Sequence, residues 1–210
     1  MARRRLLVAT RSRHKLRELQ ELLGLPNSEL VSPDDVGVPD EPRETGRTFE
    51  ANAALKARFY ARRSGLPTLA DDSGLEVDAL GGRPGVWTRR YAGPNATDAD
   101  NNAKLLAELE GVPAVDRGAR YVCVLALALP DGVGAAGGLP VRAVRGTFRG
   151  RIATSLRGEG GFGYDPLFEP ADEPSGGRTV GQMTRAEKHA RSHRAKAARR
   201  MAPILRELGF

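Results

Sequence analysis

Leu69-Ala70-Asp71-Asp72-Ser73-Gly74-Leu75 is the stretch from which the fold and its working end are read. An apolar approach runs into two adjacent carboxylates, a hydroxyl and a glycine. Pro67 to Asp72 reads as a short strand. A strand that ends in paired acids delivers charge to one place, such as a hard cation like Mg²⁺, which takes oxygen ligands. The same residues also suit a solvated strand-to-turn junction, because Asp, Ser and Gly are ordinary turn residues.

Outward from this strand, helical and extended patterns alternate. Leu6 to Thr10 reads as a strand, and Lys15 to Leu23 as a helix with Leu16, Leu19, Leu22 and Leu23 on one face and Gly24 as its stop. Pro26 to Glu44 reads mostly as loop. Thr48 to Arg63 predicts a second helix packing through Phe49, Ala53, Leu55, Ala57 and Phe59, and Thr97 to Glu110 a third with Leu105, Leu106 and Leu109 inward. Arg120–Leu129 and Val141–Phe148 read as strands joined across the Gly-rich Asp131–Pro140 in the manner of a hairpin. Residues 158–166 form a glycine-rich loop. Thr184-Arg185-Ala186-Glu187 fits a capping box that opens a last, basic helix. Alternation followed by a hairpin predicts an α/β chain with a mixed sheet.

The 210 residues suffice for one large α/β domain or two small lobes. No apolar run approaches the ~20 residues of a membrane span. The basic start Met1 to Arg5 is followed only by Leu6-Leu7-Val8-Ala9, too short for a secretory signal, so a cytoplasmic location is expected. Cys123 is the one cysteine, which rules out an intrachain disulfide and a cysteine-cluster metal site. In Tyr121-Val122-Cys123-Val124-Leu125-Ala126-Leu127 it reads as an inert core thiol. The net charge of +7 suits an anionic partner, nucleotide or nucleic acid, and equally a solvated arginine-rich surface.

Four constellations could carry chemistry. Thr10-Arg11-Ser12-Arg13-His14-Lys15 lies where a strand turns into a helix, and helix N–H groups with hydroxyls and an ammonium make a phosphate seat. It lacks the glycines of a Walker A loop, and a plain N-cap is the bland alternative. Glu44, Glu50 and the pair Asp71-Asp72 could supply two or three carboxylates to one Mg²⁺. Gly160-Gly161-Phe162-Gly163-Tyr164-Asp165-Pro166 offers close backbone approach and, in Phe162 and Tyr164, flat faces for a planar base; a tight turn with core aromatics fits it too. Lys188 and Ser192 stand four residues apart, on one helix face, with His193 and Arg194 beside them.

Taken in order, these segments resemble one family. Thr-x-x-x-x-Lys, Glu-Thr-Gly, Asn-Ala-x-x-Lys-Ala, Ala-Asp-Asp-Ser-Gly-Leu, Gly-Gly-x-Pro-Gly-Val, Gly-Gly-Phe-Gly-Tyr-Asp-Pro and Glu-Lys…Ser-His-Arg follow the pattern of the inosine triphosphate pyrophosphatase family, from about Leu6 to Leu208. The resemblance implies Mg²⁺-dependent hydrolysis of the non-standard purine nucleotides ITP, dITP and XTP to the monophosphate and pyrophosphate. It implies a homodimer, a small-molecule substrate, and one domain over 1–210 in which a long mixed sheet with flanking helices forms two lobes around a central cleft. It places Asp72 as general base and, with Glu44, at the metal. Substrate contacts fall on Thr10, Arg11, Ser12, Arg13, His14 and Lys15 for phosphate, on Lys56 and Ser73, on Phe162, Gly163, Tyr164 and Asp165 for the base, and on Lys188, His193 and Arg194. Lys15, Lys56 and Lys188 would offset charge on the leaving pyrophosphate.

Two departures from the family pattern stand out. Thr10-Arg11-Ser12 replaces Thr-Gly-Asn, and Phe49-Glu50-Ala51-Asn52 replaces Phe-Glu-Glu-Asn. Glu50 faces ~100° away from the missing acid's position on a helix, so the metal site rests on Glu44 and Asp72. Two other classes fit less of the chain. A nucleic-acid-binding module has the basic final helix but too few aromatics and acids inside its presumed site. The other is a related nucleotide pyrophosphatase acting on modified pyrimidines or other odd bases, which substrate profiling separates.

Overall fold

The computed structural model describes residues 3–130 and 139–210. Its strands are β1 (Arg4–Val8), β2 (Ser28–Val31), β3 (Thr68–Val77), β4 (Gly118–Ala128), β5 (Val141–Ile152) and β6 (Phe168–Pro170). Its helices are α1 (Arg13–Leu23), α2 (Phe49–Ser64), α3 (Asp98–Glu108), α4 (Arg185–Arg191) and α5 (His193–Glu207). The sheet order is β2-β1-β3-β4-β5-β6. β1 runs parallel to β2 and β3, while β5 and β6 are antiparallel, so the sheet is mixed as the alternation of elements predicts. No described helix is long and apolar enough to cross a membrane.

The chain forms two compact units. The first comprises Met1–Asp72, Cys123–Gly146 and Arg194–Phe210; the second comprises Ser73–Val122 and Thr147–His193. The core of the first gathers Leu6, Val8, Leu19, Leu23, Leu69, Leu125, Leu127, Met201 and Leu205. The core of the second gathers Leu75, Val77, Leu105, Leu109, Tyr121, Phe148 and Phe168. Each is a contiguous apolar cluster of the kind that holds a unit together through area removed from water.

Helix boundaries follow local chemistry. Ser12 caps α1 by accepting the Lys15 N–H, and Gly24 ends it in a left-handed conformation. Thr48 caps α2, and Gly65 ends it in the same way. Reciprocal capping boxes open α3 at Thr97 with Asp100 and α4 at Thr184 with Glu187.

Four features depart from the sequence reading. Ser28–Val31 is a strand inside the segment read as loop, pairing with β1 from Arg4↔Ser28 to Leu7↔Val31. β3 continues past Asp72 to Val77, because Ser73 and Gly74 stay in the strand instead of turning. The last basic helix is two helices: Ser192 is extended (φ −63°, ψ 160°) and separates α4 from α5, so Lys188 and Ser192 do not share a helix face. On α2, Tyr60 and Ala61 are buried, while Leu55 and Phe59 are only half-buried. The hairpin tip read at Asp131–Pro140 lies largely outside the described residues.

Candidate active site

In the first unit, the candidate residues lie where the parallel pairing of β1 with β3 stops. Leu7 pairs with Thr68 and Val8 with Leu69, and the Ala9 N–H donates to the Leu69 carbonyl at 2.8 Å. Thr10–Lys15 follow the end of β1, and Asp71-Asp72 lie within β3 just past the stretch paired with β1, beside the end of β1 at which open parallel sheets bind ligands.

The pleat of β3 separates the paired acids. Successive side chains point to opposite faces, and the two carboxylates find different partners. Asp71 is fully buried and accepts from Lys15 Nζ at 2.7 Å, from Arg194 Nε at 2.7 Å and from the Cys123 thiol at 3.4 Å. Arg194 is itself buried and also donates to Glu18. Burial would raise the Asp71 pKa, but Arg194 and Lys15 outweigh it and hold the carboxyl well below the usual range. Burial lifts the Cys123 thiol, in keeping with an inert core cysteine.

Asp72 faces Lys56 of α2. The Lys56 ammonium donates to Asp72 Oδ1 at 2.7 Å, to the Asp71 carbonyl at 2.9 Å, and lies 2.9 Å from Glu44 Oε1. Burial disfavours the ammonium, yet the charges of Asp72 and Glu44 prevail and raise its pKa, so Lys56 stays protonated. One cation shared by two carboxylates leaves Asp72 with a raised pKa: burial and Glu44 push it up further than Lys56 and Lys15 pull it down. Gly46 holds the Glu44 loop to α2 through an N–H bond to Asn52 Oδ1 at 2.8 Å. A Cβ at Gly46 would lie 2.5 Å from that same oxygen, so the position requires glycine.

No described group of three or more His, Cys, Asp or Glu side chains is arranged to hold a metal ion. The donor set nonetheless suits Mg²⁺. Glu44 and Asp72 converge on one cationic point, and Mg²⁺ is commonly held by one or two carboxylates with its remaining positions filled by water and substrate phosphate. Asp71 is engaged by Arg194 and Lys15, and Glu50 by Arg145 at 2.7 Å, so neither belongs to that donor set.

Of the phosphate segment, Ser12 and Thr10 shape the turn: the Ser12 N–H donates to Thr10 Oγ1 at 3.1 Å. Lys15 is held by Asp71, and Arg13 and His14 are exposed at the start of α1. Arg11 turns away toward the 34–41 loop, donating to the Val38 and Pro39 carbonyls and pairing with Glu41 at 3.1 Å.

In the second unit, the Gly160–Pro166 loop wraps around the buried Asp165. Its Oδ2 accepts from the Phe162 N–H and from Lys188 Nζ, both at 2.9 Å, and its Oδ1 from the Tyr121 hydroxyl at 3.2 Å. The Lys188 ammonium sits 4.4 Å from the Phe162 ring centre, so the structure places Lys188 with the aromatic loop. Asp98 and Asn102 of α3 fasten the loop tip, accepting from the Gly163 N–H at 2.7 Å and donating to its carbonyl at 2.9 Å. His193 stacks on Tyr121, with centroids 4.8 Å apart and planes 14° apart. Phe162 is half-buried and keeps an accessible ring. The Tyr164 ring is buried instead, its hydroxyl donating to the Thr88 carbonyl at 2.9 Å, so it packs the core and offers no flat face. Ser73, half-buried, follows Asp72 along β3.

The sequence did not single out Glu18, Asp98, Asn102 or Tyr121. Asp98 follows the Thr97 cap and reads as a helix-dipole acid; nothing in the local pattern marks the other three.

The family model described as Ham1 family matches residues 6–204. A dITP/XTP pyrophosphatase of Nocardia farcinica is 48% identical over 211 residues, covering 99% of this chain and 98% of that protein. A dITP/XTP pyrophosphatase of Corynebacterium urealyticum is 49% identical over 206 residues, with 96% of each covered. Among solved structures, the Staphylococcus aureus Ham1 protein superposes with a TM-score of 0.84 at 34% identity, over 98% of this chain and 100% of that one. A HAM1 protein from Coxiella burnetii gives 0.84 at 41% identity, over 97% and 99%.

Proposed function

The chain belongs to the Ham1 family, and from that premise we propose how its residues perform the reaction. The protein is a nucleoside-triphosphate pyrophosphatase that hydrolyses the non-standard purine nucleotides ITP, dITP and XTP to the monophosphate and pyrophosphate. The observation that carries the assignment of roles is the Asp72–Lys56–Glu44 cluster midway along β3, where Lys15 of α1 also reaches Asp71.

Water attacks the α-phosphorus, and the bond from that phosphorus to the bridging oxygen of the β-phosphate breaks. Asp72 accepts the proton of the attacking water. Its pKa, raised by burial and by Glu44, makes it a better base than an ordinary carboxylate. Lys15 and Lys56 counter the charge that gathers on the leaving pyrophosphate. The N–H groups in the first turn of α1, with Thr10 and Ser12, seat phosphate oxygens. Nucleotide pyrophosphatases of this kind generally need a divalent metal; here we take it as Mg²⁺, held by Glu44 and Asp72, where it would neutralise and orient the triphosphate.

Phe162 stacks on the purine, and the loop's backbone amides meet the edge of the base. Hypoxanthine and xanthine carry a 6-oxo group and an N1–H where adenine carries a 6-amino group. A pocket hydrogen-bonded to the oxo form leaves buried groups unpaired when adenine enters, and such mismatches discriminate strongly. Lys188 acts at this pocket through Asp165 and Phe162. Both units belong to one pyrophosphatase domain, and a homodimeric, cytoplasmic enzyme acting on small nucleotides and not on nucleic acid is part of the same reading.

Gly161 gives a first check of the base loop. It adopts φ +78°, and a Cβ there would overlap the Asp165 carboxylate. Gly161→Ala is expected to raise KM for ITP about tenfold or more, since a β-carbon is disfavoured at that φ and the loop must move to admit it. Steady-state kinetics with a thermal melt reads this; an unchanged KM contradicts the loop's role.

The function itself is tested by pyrophosphate release from ITP, dITP, XTP, GTP, ATP and dUTP, with and without Mg²⁺. Mg²⁺-dependent turnover of the oxo-purine triphosphates far above ATP and dUTP supports it. Faster turnover of dUTP would move the substrate to the modified-pyrimidine class.

A further inference from the structure

The hydroxyl of Tyr121 is a polar atom inside an apolar strand. Every residue from Tyr121 to Ala128 on β4 is buried, and the rest of that run is Val, Cys, Leu and Ala. A buried tyrosine hydroxyl needs a partner, and this one donates to Asp165 Oδ1 at 3.2 Å. The opposite carboxylate oxygen takes the Phe162 N–H and the Lys188 ammonium. One face of the tyrosine ring carries the His193 imidazole, nearly parallel at 4.8 Å, and Phe168 lies 4.6 Å away at a 42° tilt. A single side chain thus touches Asp165 of the base loop and His193 of the expected substrate contacts, from a strand that no motif marks.

We propose that Tyr121 is a positioning residue of the base pocket: its hydroxyl fixes the rotation of the Asp165 carboxylate, and its ring fixes the plane of His193. The inference rests on Phe162–Asp165 and His193 forming that pocket. The terminal torsion of an aspartate is broad. Two donors on Oδ2 leave the carboxylate free to swing about that oxygen; a third donor on Oδ1 removes the freedom. The Phe162 amide and the Lys188 ammonium take their places from the same carboxylate, so the setting passes to the ring on which the purine stacks. Burial, with the charge of Asp165 beside it, pushes the phenol pKa well up, so the hydroxyl keeps its proton and remains a donor. An imidazole packed parallel on an aromatic face keeps its ring plane.

Tyr121→Phe keeps the ring and removes only the hydroxyl. Wild type, Y121F, D165N and the double variant are compared for kcat and KM with ITP, for the inhibition constant of inorganic tripolyphosphate, which has no base, and for thermal midpoint. Y121F is expected to raise KM for ITP about tenfold or more, the size of one hydrogen bond to a charged group, with kcat and tripolyphosphate inhibition unchanged. In the D165N background the same substitution is expected to change KM little, because the bond acts through the carboxylate. Tyr121→Leu, which also removes the platform under His193, is expected to raise KM further. A Y121F enzyme with the wild-type KM overturns the inference. So does a parallel rise in KM and in the tripolyphosphate constant with a lowered thermal midpoint, which marks a purely structural residue. A wild type silent on ITP overturns the pyrophosphatase assignment, and this inference with it; active wild type with an unaltered Y121F overturns this inference alone.

Discussion

Asp72→Asn is expected to lower kcat for ITP by about 10²–10⁴-fold while the protein stays folded, the range associated with losing a general base. Asn is nearly the same size and retains an oxygen that accepts from Lys56, while Glu44 still pairs with that ammonium. The packing of β3 is unchanged, so the far-ultraviolet spectrum and the thermal midpoint should stay close to wild type. The wild-type pH profile carries a second signature. In the proposed mechanism activity needs ionised Asp72, whose pKa lies above its ordinary 3.8 because burial and Glu44 outweigh Lys56. The acid limb of kcat/KM should therefore fall at a pH above that of an exposed aspartate and be missing from the residual activity of the variant. A variant that turns over ITP near the wild-type rate removes Asp72 from the proton transfer.

Arg194→Met is expected to destabilise the protein by about 3–5 kcal/mol, because it takes the buried guanidinium from Glu18 and leaves Lys15 as the cation on buried Asp71, while keeping most of the side-chain volume. Urea denaturation measures the loss. Replacing the whole set with Asp71→Asn, Glu18→Gln and Arg194→Met should recover much of it, since the cost comes from the unpaired charge and not from losing the pair. The sign of the pH dependence follows from Asp71, whose folded pKa is depressed below 3.8. In that case the unfolded chain binds the proton first. The stability contributed by Asp71 is complete above about pH 4 and is lost as pH falls through the folded value. Wild type should therefore lose stability on acidification below about pH 4, and R194M should show a shallower dependence there. A variant as stable as wild type would mean that the cluster does not hold the first unit together.

Much of this was legible in the sequence because the signals were local. Leu19 and Leu23 at helical spacing, Gly24 and Gly65 as stops, and Thr184 with Glu187 as a capping box all act within a few residues. The acid pair was legible as a candidate site because two adjacent charges after an apolar run need a reason. Where the reading failed, the deciding interaction was remote. Ser73-Gly74 looks like a turn, yet it remains strand, with Leu75 N–H held by the Thr88 hydroxyl at 2.8 Å. Ser28–Val31 carries no apolar run of its own and becomes a strand through its pairing with β1. By sequence, Arg194 reads as a substrate contact beside His193. Its burial depends on Asp71 and Glu18, 123 and 176 positions away in sequence, and no window on the chain can show that. Tyr164 and Phe162, two residues apart in one loop, were equivalent on paper; the Thr88 carbonyl drew one into the core.

The central claim is attack by water on the α-phosphorus, and hydrolysis of ITP in ¹⁸O-labelled water tests it most directly. The account predicts one labelled oxygen in the phosphate of the product inosine monophosphate and none in pyrophosphate. Label in pyrophosphate, or release of orthophosphate in its place, would contradict it.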